Sequence, residues 1–593
     1  NRPEEGSVVT DPNENTLWAR VVVEELVASG VDAVCVAPGS RSTPLTVAVA
    51  RHPDVHVFSH LDERSAAYFA LGRARRTGTP TPLICTSGTA AANFHPAVIE
   101  ADRSRVPMVL LTADRPRELQ DSGANQTVDQ EQLYGDAVRS YRTLPEPAPE
   151  ARRLRSLRTT ICRGVTTATG TPAGPVHLNV PMSKPLEPTP VEGAVPDDLD
   201  ERAPVGATGR DGPMVRTARG TLAPDDGMLA TLSQALTDAE RGLIVTGPAN
   251  APVPDREALA ALVDATGFPA VADPLSGHRF GPHVDGRPIC GGYDSYLDAD
   301  GWPDPEVVVR FGASPTSKTL RHWLRDADAR QFVVDPAGEW REAEFTATDL
   351  LAVDPTRLTE ALATRIDRSP NEWTERFEAA EDRYWSVVGS ASDEQFFEGS
   401  VAAVVAETVP DPATLFVSNS MPVRDLDRFG RPREADVSVL GNRGASGIDG
   451  ITSTALGAGS ATDDPPVLLT GDLAYYHDMN GLLAVGRCDV DATIVLVNND
   501  GGGIFHELPI ESFDPPFTGQ FRTPHGLDFE PTGALYDLDY DRVEGPDGLA
   551  TAIERSTGSD GTQIVECQFD SERSHRFRDD VHDRVVERVG ETI

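Results

Sequence analysis

The chain has 593 residues, 39% of them apolar and 25% charged, a globular composition with length for three or four domains. Acidic residues outnumber basic ones 93 to 53, and the resulting charge of −40 argues against nucleic acid or an anionic membrane surface as a partner. No stretch approaches the roughly 18 consecutive apolar residues of a membrane span, and the polar, acidic start (Asn1 to Asn15) does not read as a secretory signal.

In chain order, a helix is expected from Thr16 to Ser29. A strand from Asp32 to Ala37 then ends in Pro38-Gly39-Ser40, and a second, Val55 to Ser59, runs into Asp62-Glu63-Arg64 and an Ala/Leu-rich helix. Strands at Pro82 to Thr86 and Val106 to Thr112 complete the first block. Short apolar strands alternating with amphipathic helices predict a parallel sheet covered on both faces. Pro, Asp and Gly dominate from Pro185 to Pro213, which reads as a linker. A second block follows, with strands at Gly242 to Thr246, Val307 to Phe311 and Gln331 to Val334. The pattern breaks at Asp367 to Asn371. A third block carries strands at Leu415 to Ser418, Val467 to Thr470 and Thr493 to Asn498. The expected fold class is therefore α/β, with three doubly wound parallel-sheet domains at residues 1–186, 187–370 (linker and central domain) and 371–593. Six cysteines, without any CxxC pair, lie mostly in apolar runs and read as buried small hydrophobes of a reducing compartment.

Chemistry concentrates in the third block. The strand Val467 to Thr470 ends in Gly471-Asp472, and one strand–helix–strand unit later the next ends in Asn498-Asn499-Asp500-Gly501. Both polar turns fall at the carboxyl ends of parallel strands, where open α/β sheets bind ligands. A carboxylate, an amide oxygen and a backbone carbonyl are hard donors suited to Mg²⁺ that also takes diphosphate oxygens. Either turn alone is an ordinary turn sequence. The pair resembles the diphosphate-binding motif of thiamine-diphosphate enzymes, although Leu473 stands where most of that superfamily has Gly. In the first block Glu63, taken alone, reads as a first-turn glutamate favoured by the helix dipole. Set in a thiamine site it would be the carboxyl that relays a proton through the aminopyrimidine.

The strings Pro38-Gly39-Ser40-Arg41-Ser42-Thr43-Pro44-Leu45, Asp62-Glu63-Arg64-Ser65-Ala66, Thr86-Ser87-Gly88-Thr89-Ala90, Leu111-Thr112-Ala113-Asp114-Arg115-Pro116 and Gly123-Ala124-Asn125-Gln126-Thr127 occur in that order. Further on come Ser418-Asn419-Ser420, Arg424, Asn442 to Gly450, and Gly501-Gly502-Gly503-Ile504-Phe505. Together they resemble the MenD family, the thiamine-diphosphate synthases of 2-succinyl-5-enolpyruvyl-6-hydroxy-3-cyclohexene-1-carboxylate in menaquinone biosynthesis, and Leu473 is a mark of that family. The middle block matches mainly through Ser314 to Leu320. With its acidic, lysine-poor composition, the chain looks haloarchaeal, and a high-salt cytoplasm screens its self-repulsion.

The resemblance implies decarboxylation of 2-oxoglutarate and 1,4-addition of the succinyl carbanion equivalent to isochorismate, with thiamine diphosphate and Mg²⁺ or Mn²⁺. Asp472, Asn499 and the Gly501 carbonyl would ligate the ion. Ser420, Ile448 (the wedge beneath the cofactor), Gly471, Leu473 and Ile504 would contact the cofactor. Glu63 would serve cofactor held by a partner subunit, in a homodimer at minimum and a homotetramer by family resemblance. Ser40, Arg41, Arg115, Gln126, Lys318, Asn419, Ser420, Arg424 and Arg443 would hold the two dianionic substrates, for which arginine's fork suits carboxylate. Phe505 and Leu508 would join Ile504 as an apolar wall. Lys318 is one of two lysines in the chain, the other being Lys184. An acetohydroxyacid synthase or simple 2-oxoacid decarboxylase is the alternative; the arginine-rich strings disfavour it, since pyruvate carries one carboxylate. Neither a GxGxxG after a strand nor a Walker motif occurs, and the middle-block turn Thr246-Gly247-Pro248 reads as structural.

Overall fold

The computed structural model describes residues 11–591. The sequence reading of residues 1–10 as part of a non-signal start therefore lies outside the described residues. Three six-stranded sheets, every pairing parallel, form the α/β framework. The first contains β1 (Ala33–Val36), β2 (His56–Ser59), β3 (Leu83–Cys85), β4 (Met108–Asp114), β5 (Ser140–Thr143) and β6 (Pro175–Pro181), in the order β2-β1-β3-β4-β6-β5. The second contains β7 (Gly242–Thr246), β8 (Ala270–Ala272), β9 (Ile289–Cys290), β10 (Val307–Phe311), β11 (Arg330–Val334) and β12 (Asp349–Leu351), in the order β12-β11-β10-β7-β8-β9. The third contains β13 (Ala413–Val417), β14 (Val437–Leu440), β15 (Pro466–Gly471), β16 (Thr493–Asn498), β17 (Asp539–Arg542) and β18 (Gln563–Gln568), in the order β14-β13-β15-β16-β18-β17.

Each order reverses inside the sheet, between β1 and β3, between β7 and β10, and between β13 and β15; the first and third also reverse at one edge, where β5 lies outside β6 and β17 outside β18. A reversal sends the two following connections to opposite faces and opens a crevice beyond the strand ends. In the middle sheet that crevice is closed by backbone. A Cβ on Gly247 would lie 1.8 Å from the Ala313 carbonyl oxygen, and one on Gly312 would lie 2.5 Å from that of Gly247. The Thr246-Gly247-Pro248 turn is thus a packing device.

Two compact units result. One comprises the chain up to Arg219 with Leu456–Ala461 and Asn480–Asp489; the other comprises Gly220–Ala455, Thr462–Met479 and Val490–Ile593. The first unit runs on past residue 186 to Arg219. Leu186, Leu199, Ala203 and Ala207 from the supposed linker are buried in the core of the first unit with Trp18, Leu154 and Ile161. Two short helices, Leu199–Arg202 and Pro204–Ala207, carry Leu199 and Ala207, with Ala203 between them. The middle and third sheets also share one unit. The helix Glu372–Glu394 buries Trp373, Phe377 and Tyr384 in a cluster that includes Leu243 and Val308 of the middle sheet, Phe429, and Val581, Val585 and Val589 of the last helix. All six cysteines are buried and free. Among the described residues no helix is long and apolar enough to cross a membrane.

Candidate active site

Strand register assembles the site in the second unit. β13 pairs with β15 so that Val417 faces Leu469, which sets Asn419-Ser420 beside Gly471-Asp472. β15 pairs with β16 so that Gly471 faces Val497, which sets Asp472 beside Asn498-Asn499. The crevice at the β13/β15 reversal is a cavity of about 190 Å³. Its lining includes Asn419, Ser420, Ile448, Gly471, Asp472, Leu473, Asn499, Gly501, Ile504 and Phe505, all expected from sequence, together with Glu398, Met421, Asp425 and Gly503, which were not.

Asp472 is buried and accepts hydrogen bonds throughout. Its Oδ1 takes the Leu473 amide at 2.6 Å; its Oδ2 takes the Gly501 amide at 2.9 Å and the Asn499 amide at 3.2 Å. His525, unforeseen in the sequence, brings Nε2 within 3.1 Å of the same Oδ2. Burial raises the Asp472 pKa from its ordinary value, while these donors work in the opposite direction. Asn499 donates its Nδ2 to both carboxyl oxygens of Glu398, at 3.1 and 3.2 Å, whereas its Oδ1 is buried with no hydrogen-bond partner among the described residues. A buried acceptor left empty is costly in a folded protein and points to a missing ligand. Two glycines shape the same corner. Gly501 has φ +140°, and a Cβ there would lie 2.2 Å from the Arg522 carbonyl oxygen; a Cβ on Gly503 would lie 2.5 Å from Asn499 Nδ2. The carboxylate, the open amide oxygen and the glycine backbone therefore fit a hard divalent ion and an anion beside it.

Glu398 opens the helix Glu398–Thr408 and is buried. Burial, and then the charge of nearby Asp425, push its carboxyl up to about 8. In the sequence it looks like any first-turn glutamate.

Arginines flank the cavity. Arg424 Nη1 donates to the Ser420 carbonyl at 2.6 Å, and Arg443 Nη1 to Asn419 Oδ1 at 3.0 Å. Asn419 in turn donates to the carbonyls of Asn442 and Gly447, at 2.6 and 2.7 Å, so it clamps the Asn442–Gly450 loop to the end of β13. Ser420 has φ +73°, the left-handed region that turns the chain into the helix Met421–Phe429. The Arg424 pKa is lowered by burial first and then by the positive charges of Arg443 and Arg578. Three arginines thus lie close enough to repel one another, beside a cavity whose own lining carries Glu398, Asp425 and Asp472. Four expected residues of this unit fall outside the cavity lining: Arg424 and Arg443, which reach it only through Ser420 and Asn419, Leu508, 43% exposed beyond the turn Gly503–Glu507, and Lys318, exposed as the first residue of the helix Lys318–Asp326.

In the first unit the remaining candidates sit beyond successive strand ends. Ser40 and Arg41 follow β1, Glu63 follows β2 and Arg115 follows β4. Glu63 is half-buried in its own unit, at the start of the helix Glu63–Thr77 capped by Asp62. Ser40 is exposed. Arg41 is buried and donates Nη1 to the Met182 carbonyl at 2.5 Å. Arg115 reaches the Asn125 carbonyl at 2.8 Å; Gln126, exposed and with φ +55°, donates Nε2 to the Ser87 carbonyl at 3.0 Å. The β1/β3 reversal is tight: a Cβ on Gly39 would lie 2.4 Å from Thr86 Cβ.

Family models match in the same order. Residues 18–133 match the N-terminal TPP binding domain of thiamine pyrophosphate enzymes, 229–417 the middle domain and 431–567 the C-terminal TPP binding domain. A 2-succinyl-5-enolpyruvyl-6-hydroxy-3-cyclohexene-1-carboxylate synthase of Haloarcula marismortui is 62% identical over 589 residues, covering 98% of this chain and 99% of the relative. The chain belongs to that synthase family. The enzyme of the same name from Natronomonas pharaonis is 61% identical over 587 residues, with the same coverage of each chain. That of Roseiflexus sp. is 46% identical over 567 residues, covering 94% of this chain and 96% of its own. Membership in this synthase family makes thiamine diphosphate, with Mg²⁺ or Mn²⁺, the cofactor.

Proposed function

We propose that the protein is a 2-succinyl-5-enolpyruvyl-6-hydroxy-3-cyclohexene-1-carboxylate synthase of menaquinone biosynthesis, joining the succinyl unit of 2-oxoglutarate to isochorismate with loss of CO₂. The observation that carries this reading is one cavity combining an open amide oxygen beside a buried carboxylate with an apolar wall, Arg424 and Arg443 being bonded to the Ser420 and Asn419 that line it. When bound, thiamine diphosphate supplies the electron sink for decarboxylation and the carbon nucleophile for addition. Asp472, Asn499 Oδ1 and the Gly501 carbonyl would hold the divalent ion, with Gly471, Leu473 and Ser420 against the cofactor. Ile448 would support the cofactor from below and Ile504 close over it, keeping water from the reacting carbon. Arg424 and Arg443 would bind substrate carboxylates, favoured by their mutual repulsion in the empty site. Phe505, packed edge-on to Phe521 with ring centroids 5.6 Å apart, would stiffen the wall. Lys318 adds a cation at a helix N-terminus, a place that favours an anion.

The resemblance further assigns Ser40, Arg41, Arg115 and Gln126 to substrate. It also assigns Glu63 to a proton relay on cofactor held by a second copy of the chain, which makes the working form a dimer or a multiple of it. The chain's acidity and its haloarchaeal relatives support a salt-rich cytoplasm as its setting. The test is turnover in molar KCl with 2-oxoglutarate and isochorismate, with and without thiamine diphosphate and Mg²⁺, and with pyruvate replacing 2-oxoglutarate. Product is expected only with both cofactors and the dicarboxylic substrate. Turnover without thiamine diphosphate, or preference for pyruvate, would overturn the assignment.

A further inference from the structure

The Asn499 side chain can serve an ion only if its oxygen faces the ion and its NH₂ faces away. The two orientations of an amide differ by a flip of similar shape, so something chemical must choose between them. Glu398 is placed to choose. Both of its carboxyl oxygens lie at 3.1–3.2 Å from Asn499 Nδ2. A carboxylate offers acceptors alone, and with both oxygens on Nδ2 it takes the NH₂ end of the amide and leaves the oxygen end facing away. The opposite side of the amide is the buried Oδ1 without a partner among the described residues. Space is fitted to the same arrangement, since the missing side chain at Gly503 is what lets Nδ2 pass toward Glu398. Glu398 is itself fixed. It starts a helix, its backbone amide donates to Ser574 Oγ at 3.0 Å, and it is buried.

We infer that Glu398 is a positioning residue that orients the Asn499 amide, turning its oxygen toward the divalent ion that holds the cofactor diphosphate. This rests on the proposed site, in which Asn499 is a ligand. Second partners of metal ligands typically change ion affinity by about 10–100-fold when removed.

The experiment measures Mn²⁺ binding to the full-length protein with thiamine diphosphate in molar KCl, by the loss of the free-ion paramagnetic resonance signal. Melting temperature and the Mn²⁺ dependence of turnover are recorded alongside. Glu398→Gln can present either an acceptor or a donor to Asn499, so the amide is no longer fixed; Mn²⁺ affinity should fall about 10–100-fold. Turnover should recover to within a few-fold at saturating Mn²⁺, a shift in ion requirement that a merely structural role would not produce. Asn499→Asp alone sets two carboxyls against each other and should also weaken binding. The double variant Glu398→Gln/Asn499→Asp exchanges donor and acceptor, restores the match, and should bind Mn²⁺ more tightly than either single variant.

Unchanged affinity in Glu398→Gln, or a double variant that binds no more tightly than the better of the two single ones, would overturn the inference. Should Glu398→Gln not fold, Glu398→Asp carries the test. Its carboxyl is withdrawn from Nδ2 by about one bond length, ~1.5 Å, and undiminished Mn²⁺ affinity would again overturn it. Absence of Mn²⁺ binding by the unaltered protein would instead overturn the site itself, and this inference with it.

Discussion

Replacing Gly501 by alanine tests the corner of the site where backbone geometry and ion binding meet. Gly501 has φ +140°, a conformation that costs an L residue about 1–3 kcal/mol. Its new methyl group would lie 2.2 Å from the Arg522 carbonyl oxygen, which is backbone and cannot rotate aside. That carbonyl accepts the Gly502 amide at 2.7 Å, so moving it forfeits a hydrogen bond worth about 1 kcal/mol net. Overpacking of this kind adds about 1–3 kcal/mol. The expected destabilisation is thus about 3–7 kcal/mol, a large share of the roughly 5–15 kcal/mol that holds a protein folded. The carbonyl offered to the ion shifts as well. The assay is thermal and denaturant unfolding in molar KCl, paired with Mn²⁺ titration in the presence of thiamine diphosphate. Gly519→Ala is the control: it has no positive φ and nothing lies within 4 Å of an added Cβ, so it should change stability by less than about 0.5 kcal/mol. If Gly501→Ala matched Gly519→Ala in both stability and ion affinity, the cradle argument would fail.

Arg424→Ala and Arg443→Ala should each lower kcat/KM by about 10–100-fold, the worth of a charge-assisted carboxylate contact of about 1.5–3 kcal/mol; steady-state kinetics in which both variants match the unaltered enzyme would remove them from substrate binding. Glu63→Gln should cut turnover sharply while leaving Mn²⁺ and thiamine diphosphate binding nearly intact, and near-normal turnover would refute its relay role. Stability should rise with KCl as the charge of −40 is screened; a melting temperature independent of salt would contradict the halophile reading. Acid should also destabilise the fold, because burial depresses the pKa of His177 and His278 to about 3 from an ordinary 6.5. Both stay neutral in the fold, so their stabilisation is intact above pH 6.5 and lost as pH falls toward 3, at about 1.4 kcal/mol per unit for each. His278→Gln should flatten the slope of stability against pH between 6.5 and 4.5, and an unchanged slope would show that His278 is not the group responsible.

Local grammar made much of the site legible. Gly471-Asp472 and Asn498-Asn499 belong to one strand–helix–strand unit, so adjacency in the sheet follows from short-range sequence. The strings around Asn419, Ile448 and Phe505 were legible by resemblance, and the cavity gathers them. Glu398 was not legible. A glutamate at a helix start is common for reasons of dipole and capping, and its meeting with Asn499, about a hundred residues later, depends on how that helix docks against the end of β16. His525 is hidden in the same way. Edge strands such as β9, with two residues, and β12, with three, are too short to show periodicity. The Pro- and Gly-rich stretch after Pro185 looked like a spacer because its few apolar residues, Leu186, Leu199, Ala203 and Ala207, follow no regular period.

Alternation of strand and helix, turn residues at strand ends, and a charge balance that calls for salt are properties of neighbouring residues, and the sequence by itself determined them. The closed crevice of the middle sheet, the merging of two sheets into one unit through the helix Glu372–Glu394, and the seating of Asn499 with its NH₂ on Glu398 and its buried oxygen without a partner among the described residues were decided by tertiary structure alone. These features arise from close packing between segments far apart in the chain, where burial and steric contact select one arrangement among many that the local sequence allows.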